Sequence, residues 1–123
     1  MFSEAARNEA SDLHLIVGFP PMLRVAGVLL PVQGGEVLRD TDTRALVTST
    51  LNAEQKEIFE NNKELDYSLS TANGRFRVNA YTQKNSAAAA FRLIPATIKS
   101  IESLGLPVIC SEFVKLRQGL ILV

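Results

Sequence analysis

Residues 64–94 read ELDYSLSTANGRFRVNAYTQKNSAAAAFRLI, and the alternation in this stretch decides the fold. Leu65, Tyr67 and Leu69 alternate with Asp66, Ser68 and Ser70, and Phe76, Val78 and Ala80 alternate with Arg75, Arg77, Asn79 and Tyr81. A period of two with the apolar residues in phase marks strands with one buried face. Asn73-Gly74 is a strong hairpin signal, because both central residues of a type I′ turn need positive φ. The polar loop Gln83 to Ser86 leads into a third run, Ala87 to Ile94. The stretch is therefore predicted to be a three-stranded antiparallel meander.

Turn lengths set the pairing. A two-residue turn at 73–74 places Thr71 opposite Phe76, Leu69 opposite Val78 and Tyr67 opposite Ala80. An even-length loop centred on 84–85 places Phe76 opposite Leu93, Val78 opposite Phe91 and Ala80 opposite Ala89. All these pairs fall on one apolar face, and a slip of one residue would turn the whole set outward. On the other face the same register sets Arg77 directly opposite Arg92, with Cβ atoms ~5 Å apart. Two like charges at that spacing repel by about 1 kcal/mol in water and several-fold more near a protein surface. The neighbours expected around them are Ser70, Asn79, Ala88 and Ala90, with Asp66 further along beside Tyr81, so that nothing adjacent neutralises the pair. Two such arginines in rigid strands suit a phosphate, which guanidinium groups bind in a fork geometry. The alternative is two long side chains splayed into water.

Outward from the meander, residues 1–10 read as a short or frayed helix. Residues 11–17 read as a strand with Leu13, Leu15 and Val17 on one face, broken by Gly18-Phe19-Pro20-Pro21. Residues 22–32 are predicted to form a tight hairpin turning at Ala26-Gly27, with Leu23 and Val25 inward and Val28 and Leu30 returning on the same face. A helix is expected over 41–51. A second begins at Asn52, an N-cap with Gln55 three residues on in a capping box, and packs through Ile58 and Phe59. Ser100 caps a helical turn that Gly105 ends, and Pro107 to Arg117 reads as a further helix. The run Gly119 to Val123 reads as a buried parallel strand, which implies that the natural protein continues beyond it.

The chain has 123 residues, 46% hydrophobic and 21% charged, the composition of one soluble globular domain. Thirteen basic and thirteen acidic residues cancel, which removes the electrostatic case for nucleic acid. No run approaches the ~20 apolar residues that cross a bilayer. Met1 to Asp12 lacks the pattern of a signal peptide, so the expected location is cytoplasmic. Cys110 is the sole cysteine and reads as a small buried hydrophobe. His14, the sole histidine, has only Asp12 near it as a metal partner and reads as a polar residue on the open face of its strand. Arg24 is either a solvated charge or a second contact to ligand or partner. Asp40 and Asp42 open a helix, where carboxylates favour the positive end of the dipole. There is no nucleophile–base–orienter set. The phosphate loop G-x-x-x-x-G-K-[ST] is absent, so the chain carries no phosphoryl-transfer machinery of its own.

Several motifs together carry a family likeness. Ser11-Asp12-Leu13-His14-Leu15, followed by Gly18-x-Pro20-Pro21-x-x-Arg24-Val25-x-Gly27, resembles the opening of the secretion and pilus ATPases. Asp66-Tyr67-Ser68, Gly74-Arg75-Phe76-Arg77-Val78-Asn79, Phe91-Arg92-x-Ile94-Pro95, Ile101-Glu102-x-Leu104-Gly105-Leu106-Pro107 and the closing Gly119-Leu120-Ile121-Leu122-Val123 are similar to the twitching-motility, type IV pilus retraction group of the PilT/PilU kind. Ala26 departs from the acidic residue frequent before the turn glycine, and Leu30 to Arg39 matches nothing in the pattern. The likeness implies an α+β, PAS-like antiparallel sheet flanked by helices over 1–116, with 117–123 as the first strand of an ATPase domain. It implies a homohexamer that uses ATP and Mg2+, works with the pilus inner-membrane platform, and sits in the cytoplasm at the periphery of the inner membrane. By the same resemblance Arg77 and Arg92 match arginines that reach nucleotide phosphates. The phosphate loop, metal ligands and catalytic base are expected from the other half of such a protein, and no cofactor from this domain alone. The rival readings are a free-standing PAS-like small-molecule sensor and a pure assembly module without nucleotide contact.

Overall fold

The meander forms, and it makes half of a larger sheet. The computed structural model describes residues 1–122. Its elements are α1 (Phe2–Arg7), β1 (Asp12–Leu15), β2 (Met22–Val25), β3 (Val28–Pro31), α2 (Asp40–Ser49), α3 (Ala53–Asn62), β4 (Glu64–Thr71), β5 (Gly74–Gln83), β6 (Ser86–Ile94) and α4 (Ile109–Phe113). The strands make one six-stranded sheet in the order β3-β2-β1-β6-β5-β4. Every pairing in it is antiparallel. Two meanders, β1–β3 and β4–β6, are thus joined side by side through β1 and β6, which are distant in sequence.

One face of the sheet is the core. The row Leu23, Leu13, Phe91, Val78, Tyr67 crosses five strands, and all five side chains are buried. Ala5 of α1, Val47 of α2 and Phe59 of α3 close the same cluster. Phe2 lies 5.0 Å from Phe76 and 5.2 Å from Phe91, in tilted and edge-on geometries, the arrangements that ring quadrupoles favour. Asn52 caps α3 as its sequence predicts: its side chain accepts from the Gln55 amide at 2.8 Å, and the Gln55 side chain accepts from the Asn52 amide at 3.0 Å. Tyr67 shares a 2.6 Å hydrogen bond with Thr50 at the end of α2, so its buried hydroxyl has a partner.

Both turns of positive φ are local choices of the chain. Ala26 and Gly27 have φ of 47° and 84°, and Lys84 and Asn85 have 48° and 65°, the type I′ signature that matches strand twist. The third turn differs from expectation. Thr71 pairs with Gly74, so Ala72 and Asn73 are the central residues rather than Asn73 and Gly74. Local side-chain bonding explains the shift: the Thr71 hydroxyl accepts from the Asn73 amide and donates to the Gly74 carbonyl, both at 3.1 Å. The β4–β5 register therefore moves by two residues, with Leu69 opposite Phe76, Tyr67 opposite Val78 and Leu65 opposite Ala80. A shift of two leaves every side chain on its expected face. The β5–β6 register, with Arg77 opposite Arg92, is the expected one.

Other expectations need correction. Val28 and Leu30 share the face of Leu23 and Val25 but are exposed, because β3 is an edge strand with a neighbour on one side only. The helix expected over Pro107 to Arg117 is only Ile109–Phe113. Val108, Ile109, Val114 and Leu116 around it are exposed, and a short helix without tertiary packing has little to hold it. For the same reason Cys110 is only half-buried. Residues 119–122 form no strand, since a strand needs a neighbour's backbone and none pairs with them among the described residues. Val123, the last residue of the expected strand, lies outside the described residues.

Candidate functional site

The row next to the core row faces the other way. Read across the sheet it is Leu29, Arg24, Asp12, Arg92, Arg77, Ser68. Adjacent strands lie ~4.8 Å apart, so three arginines and one aspartate stand in file on the face opposite the helices. The turns at Ala26-Gly27 and Lys84-Asn85 fix Arg24 opposite Leu29 and Arg77 opposite Arg92, and the β1–β2 and β1–β6 ladders bring Asp12 between Arg24 and Arg92. Arg77, Arg92, Asp12, Asp66, Asn79 and Ala90 line an open groove of about 310 Å3.

The structure brings Arg77 and Arg92 together on one face, and it corrects the expectation that they are unneutralised. Arg92 Nε donates to Asp12 Oδ1 at 3.0 Å. Arg77 Nη2 lies 3.9 Å from Asp66 Oδ2. Both partners were missed for identifiable reasons. Asp12 enters through the β1–β6 pairing, which no turn length announces. Asp66 arrives because the two-residue register shift moves it from beside Tyr81 to beside Asn79, next to Arg77.

The two pairs are unlike in strength. Arg77 and Asp66 are 70% and 56% exposed and too far apart for a hydrogen bond, so this pair contributes about 0–1 kcal/mol. The Asp12 side chain is only 10% exposed. Burial pushes its carboxyl pKa up, but the hydrogen bond from Ser11 (2.8 Å) and the hydrogen bond and charge of Arg92 outweigh that and hold the value below the ordinary one. Asp12 is therefore a carboxylate at neutral pH. Its grip on Arg92 is through Nε, and the Arg92 side chain remains 72% exposed and lines the groove.

Arg24 is placed differently. Its Nε is 3.7 Å from Asp12 Oδ2, and its Nη1 donates to the Gly27 carbonyl at 3.1 Å, tying the side chain to its own hairpin. It is not among the residues lining the groove. Asp42, by contrast, is a helix-start residue: it accepts from the Arg39 amide at 2.9 Å and from Arg39 Nε at 3.0 Å.

His14 is less open than expected. Its Nε2 is buried and lacks a hydrogen-bond partner among the described residues. Burial lowers its pKa, the Asp12 charge opposes this, and Arg24 and Arg92 lower it further. A group whose folded pKa is depressed binds fewer protons folded than unfolded, so stability rises with pH through that window. The contribution is complete above about 6.5, the ordinary imidazole value, and is lost as pH falls toward the folded pKa. His14→Gln is accordingly expected to flatten the fall in melting temperature between about pH 7.5 and 5.5. Equal slopes for the two proteins in calorimetric melts would refute the assignment.

Among the described residues no group of three or more His, Cys, Asp or Glu could hold a metal ion. The two carboxylates in the groove each face an arginine, a poor donor set for a hard cation that takes several oxygens. None of the described helices is long and apolar enough to cross a membrane.

The six-stranded antiparallel α+β sheet flanked by helices is a class of domain found in known proteins. No protein-family model matches the chain. The type IV pilus retraction ATPase PilT of Pseudomonas aeruginosa is 37% identical over 120 residues, which is 97% of this chain and 35% of that protein. The type IV pilus ATPase PilU of the same organism is 34% identical over 113 residues, 91% of this chain and 29% of that protein. The crystal structure of the pilus retraction motor PilT with bound ADP superposes with a TM-score of 0.77 at 34% identity, covering 92% of this chain and 33% of that one. The chain is thus homologous to PilT and PilU over nearly its whole length, and its fold matches the amino-terminal region of PilT. It spans about a third of the length of these relatives.

Proposed function

We propose that this chain is the nucleotide-facing and assembly domain of a hexameric ATPase that drives type IV pilus retraction, and that Arg92 and Arg77 contact the nucleotide phosphates. The observation that carries the reading is the Arg77–Arg92 pair, directly opposite each other across β5 and β6 on the uncovered face. The groove between them has room for a phosphate group, and the ion pairs leave amino groups of both arginines for it. ATP hydrolysis requires the phosphate loop, the Mg2+ ligands and the catalytic base, and these are assigned to the rest of the protein, beyond a boundary near residue 117. The two carboxylates of the groove each face an arginine, and the part of this domain in the reading is to bind and orient phosphate charge. The PAS-like label, the cytoplasmic location at the inner membrane and the pilus platform as partner belong to the same reading. Arg24 fits it as a neighbour of Asp12 rather than as a direct contact.

A specific observation favours the pure assembly module as second reading. Both arginines have a carboxylate within 4 Å, and β3 presents exposed Val28, Leu29 and Leu30 at an open sheet edge, a surface suited to a neighbouring subunit. A small-molecule sensor fits poorly, because Phe76, Phe91 and Val78 fill the interior. Alanine at both Arg77 and Arg92 in the full-length protein separates the two. The proposed reading expects intact hexamers with turnover largely lost, and the assembly reading expects intact hexamers with normal turnover.

A further inference from the structure

We infer that Asp12 is a positioning residue for Arg92: it holds one edge of the guanidinium so that the other edge meets phosphate in a fixed orientation. The inference rests on the reading that Arg92 contacts nucleotide. A guanidinium has five donors in a planar fork. When Nε is held, rotation about the end of the side chain stops and the two terminal amino groups take a defined direction. Asp12 holds it at 3.0 Å from a strand that pairs with β6 at that very residue. The aspartate is itself fixed. It is buried, it accepts from the Ser11 hydroxyl at 2.8 Å, and Arg24 approaches its other oxygen at 3.7 Å. A carboxylate with its charge shared between two arginines cannot fully cancel either, so Arg92 is oriented without being spent. Arg77 lacks comparable support among the described residues, since its partner Asp66 is exposed and 3.9 Å away. The geometry thus makes Arg92 the prepared contact and Arg77 the adaptable one.

A misplacement of about 1 Å in a group that meets reacting charge can cost on the order of 100-fold in rate, so the loss of Asp12 is expected to register in turnover. In the full-length protein, Asp12→Asn keeps the shape and removes the charge, while Asp12→Glu keeps the charge and alters the shape. The expected order of turnover is wild type, then Asp12→Glu, then Asp12→Asn, with Asp12→Asn reduced on the order of 10- to 100-fold at normal hexamer content. A role in packing alone reverses the two variants. Asp12→Asn is also made in the Arg92→Ala background, where positioning predicts no further loss. If Arg92→Ala leaves turnover normal, the nucleotide reading itself fails. If Arg92→Ala abolishes turnover but Asp12→Asn is silent alone, or costs as much without Arg92 as with it, the positioning role fails while the nucleotide reading stands. Should Asp12→Asn not assemble, the Asp12→Glu variant and its Arg92→Ala double decide by the same comparison.

Discussion

Alanine at Arg92 in the full-length protein is expected to lower ATP turnover by about 10³-fold, the lower end of what an arginine facing transition-state charge contributes in phosphoryl transfer. Alanine at Arg77 is expected to cost roughly 10- to 100-fold, the equivalent of one charge-assisted hydrogen bond. The difference follows from their partners. Arg92 is anchored by a buried carboxylate at 3.0 Å, so little of its freedom remains to be lost when phosphate arrives. Arg77 sits in an exposed pair at 3.9 Å and must be drawn away from Asp66 and ordered at the moment of binding, which offsets part of its interaction. Steady-state turnover, normalised to hexamer measured by light scattering, reads both effects. Equal losses, or a larger loss at Arg77, would show that the anchor on Arg92 has no bearing on the chemistry.

The sheet's two halves were legible to different degrees. Strand periodicity placed the inward residues of β4, β5 and β6 on the correct face, and the even loop at Lys84-Asn85 fixed Arg77 opposite Arg92. Those features are local, set by side-chain alternation and by a turn whose backbone demands are known. The turn after Thr71 was misread by one position, because a hydroxyl that bonds its own turn competed with the Asn-Gly preference. That error displaced Asp66 and hid one counter-ion. The other, Asp12, depends on a pairing between β1 and β6 that joins residues 80 positions apart, and nothing in local pattern specifies it. The Ser-Asp-Leu-His motif did carry a signal. A charged residue in a largely buried strand requires a partner, because an isolated buried charge is costly. Only the three-dimensional pairing names that partner as Arg92. The exposed apolar residues from Val108 to Leu122 mark the opposite failure: their sequence pattern asks for burial, and no surface among the described residues satisfies it.

Phe91→Ala is expected to destabilise the domain by about 3–5 kcal/mol, a large part of the 5–15 kcal/mol typical of a whole domain. Phe91 is fully buried at the middle of the sheet. It is flanked by Leu13 on β1 and Val78 on β5 and covered by the Phe2 ring at 5.2 Å. Its removal leaves a cavity walled by strands that cannot collapse without breaking the ladders joining the two meanders. Chemical denaturation of the chain should show the midpoint moving with that loss. Leu29→Ala, at the exposed edge of β3, should change stability by no more than about 0.5 kcal/mol. The contrast matters for function because Phe91 and Arg92 are successive residues on opposite faces of β6. A cavity beneath the sheet therefore loosens the strand that aims the arginine above it. Conditions that keep Phe91→Ala folded should still show reduced turnover in the full-length protein. If the variant retains wild-type turnover while losing several kcal/mol of stability, the face that carries the arginines is insulated from the core beneath it, and the rigidity argued for Arg92 must come from Asp12 alone.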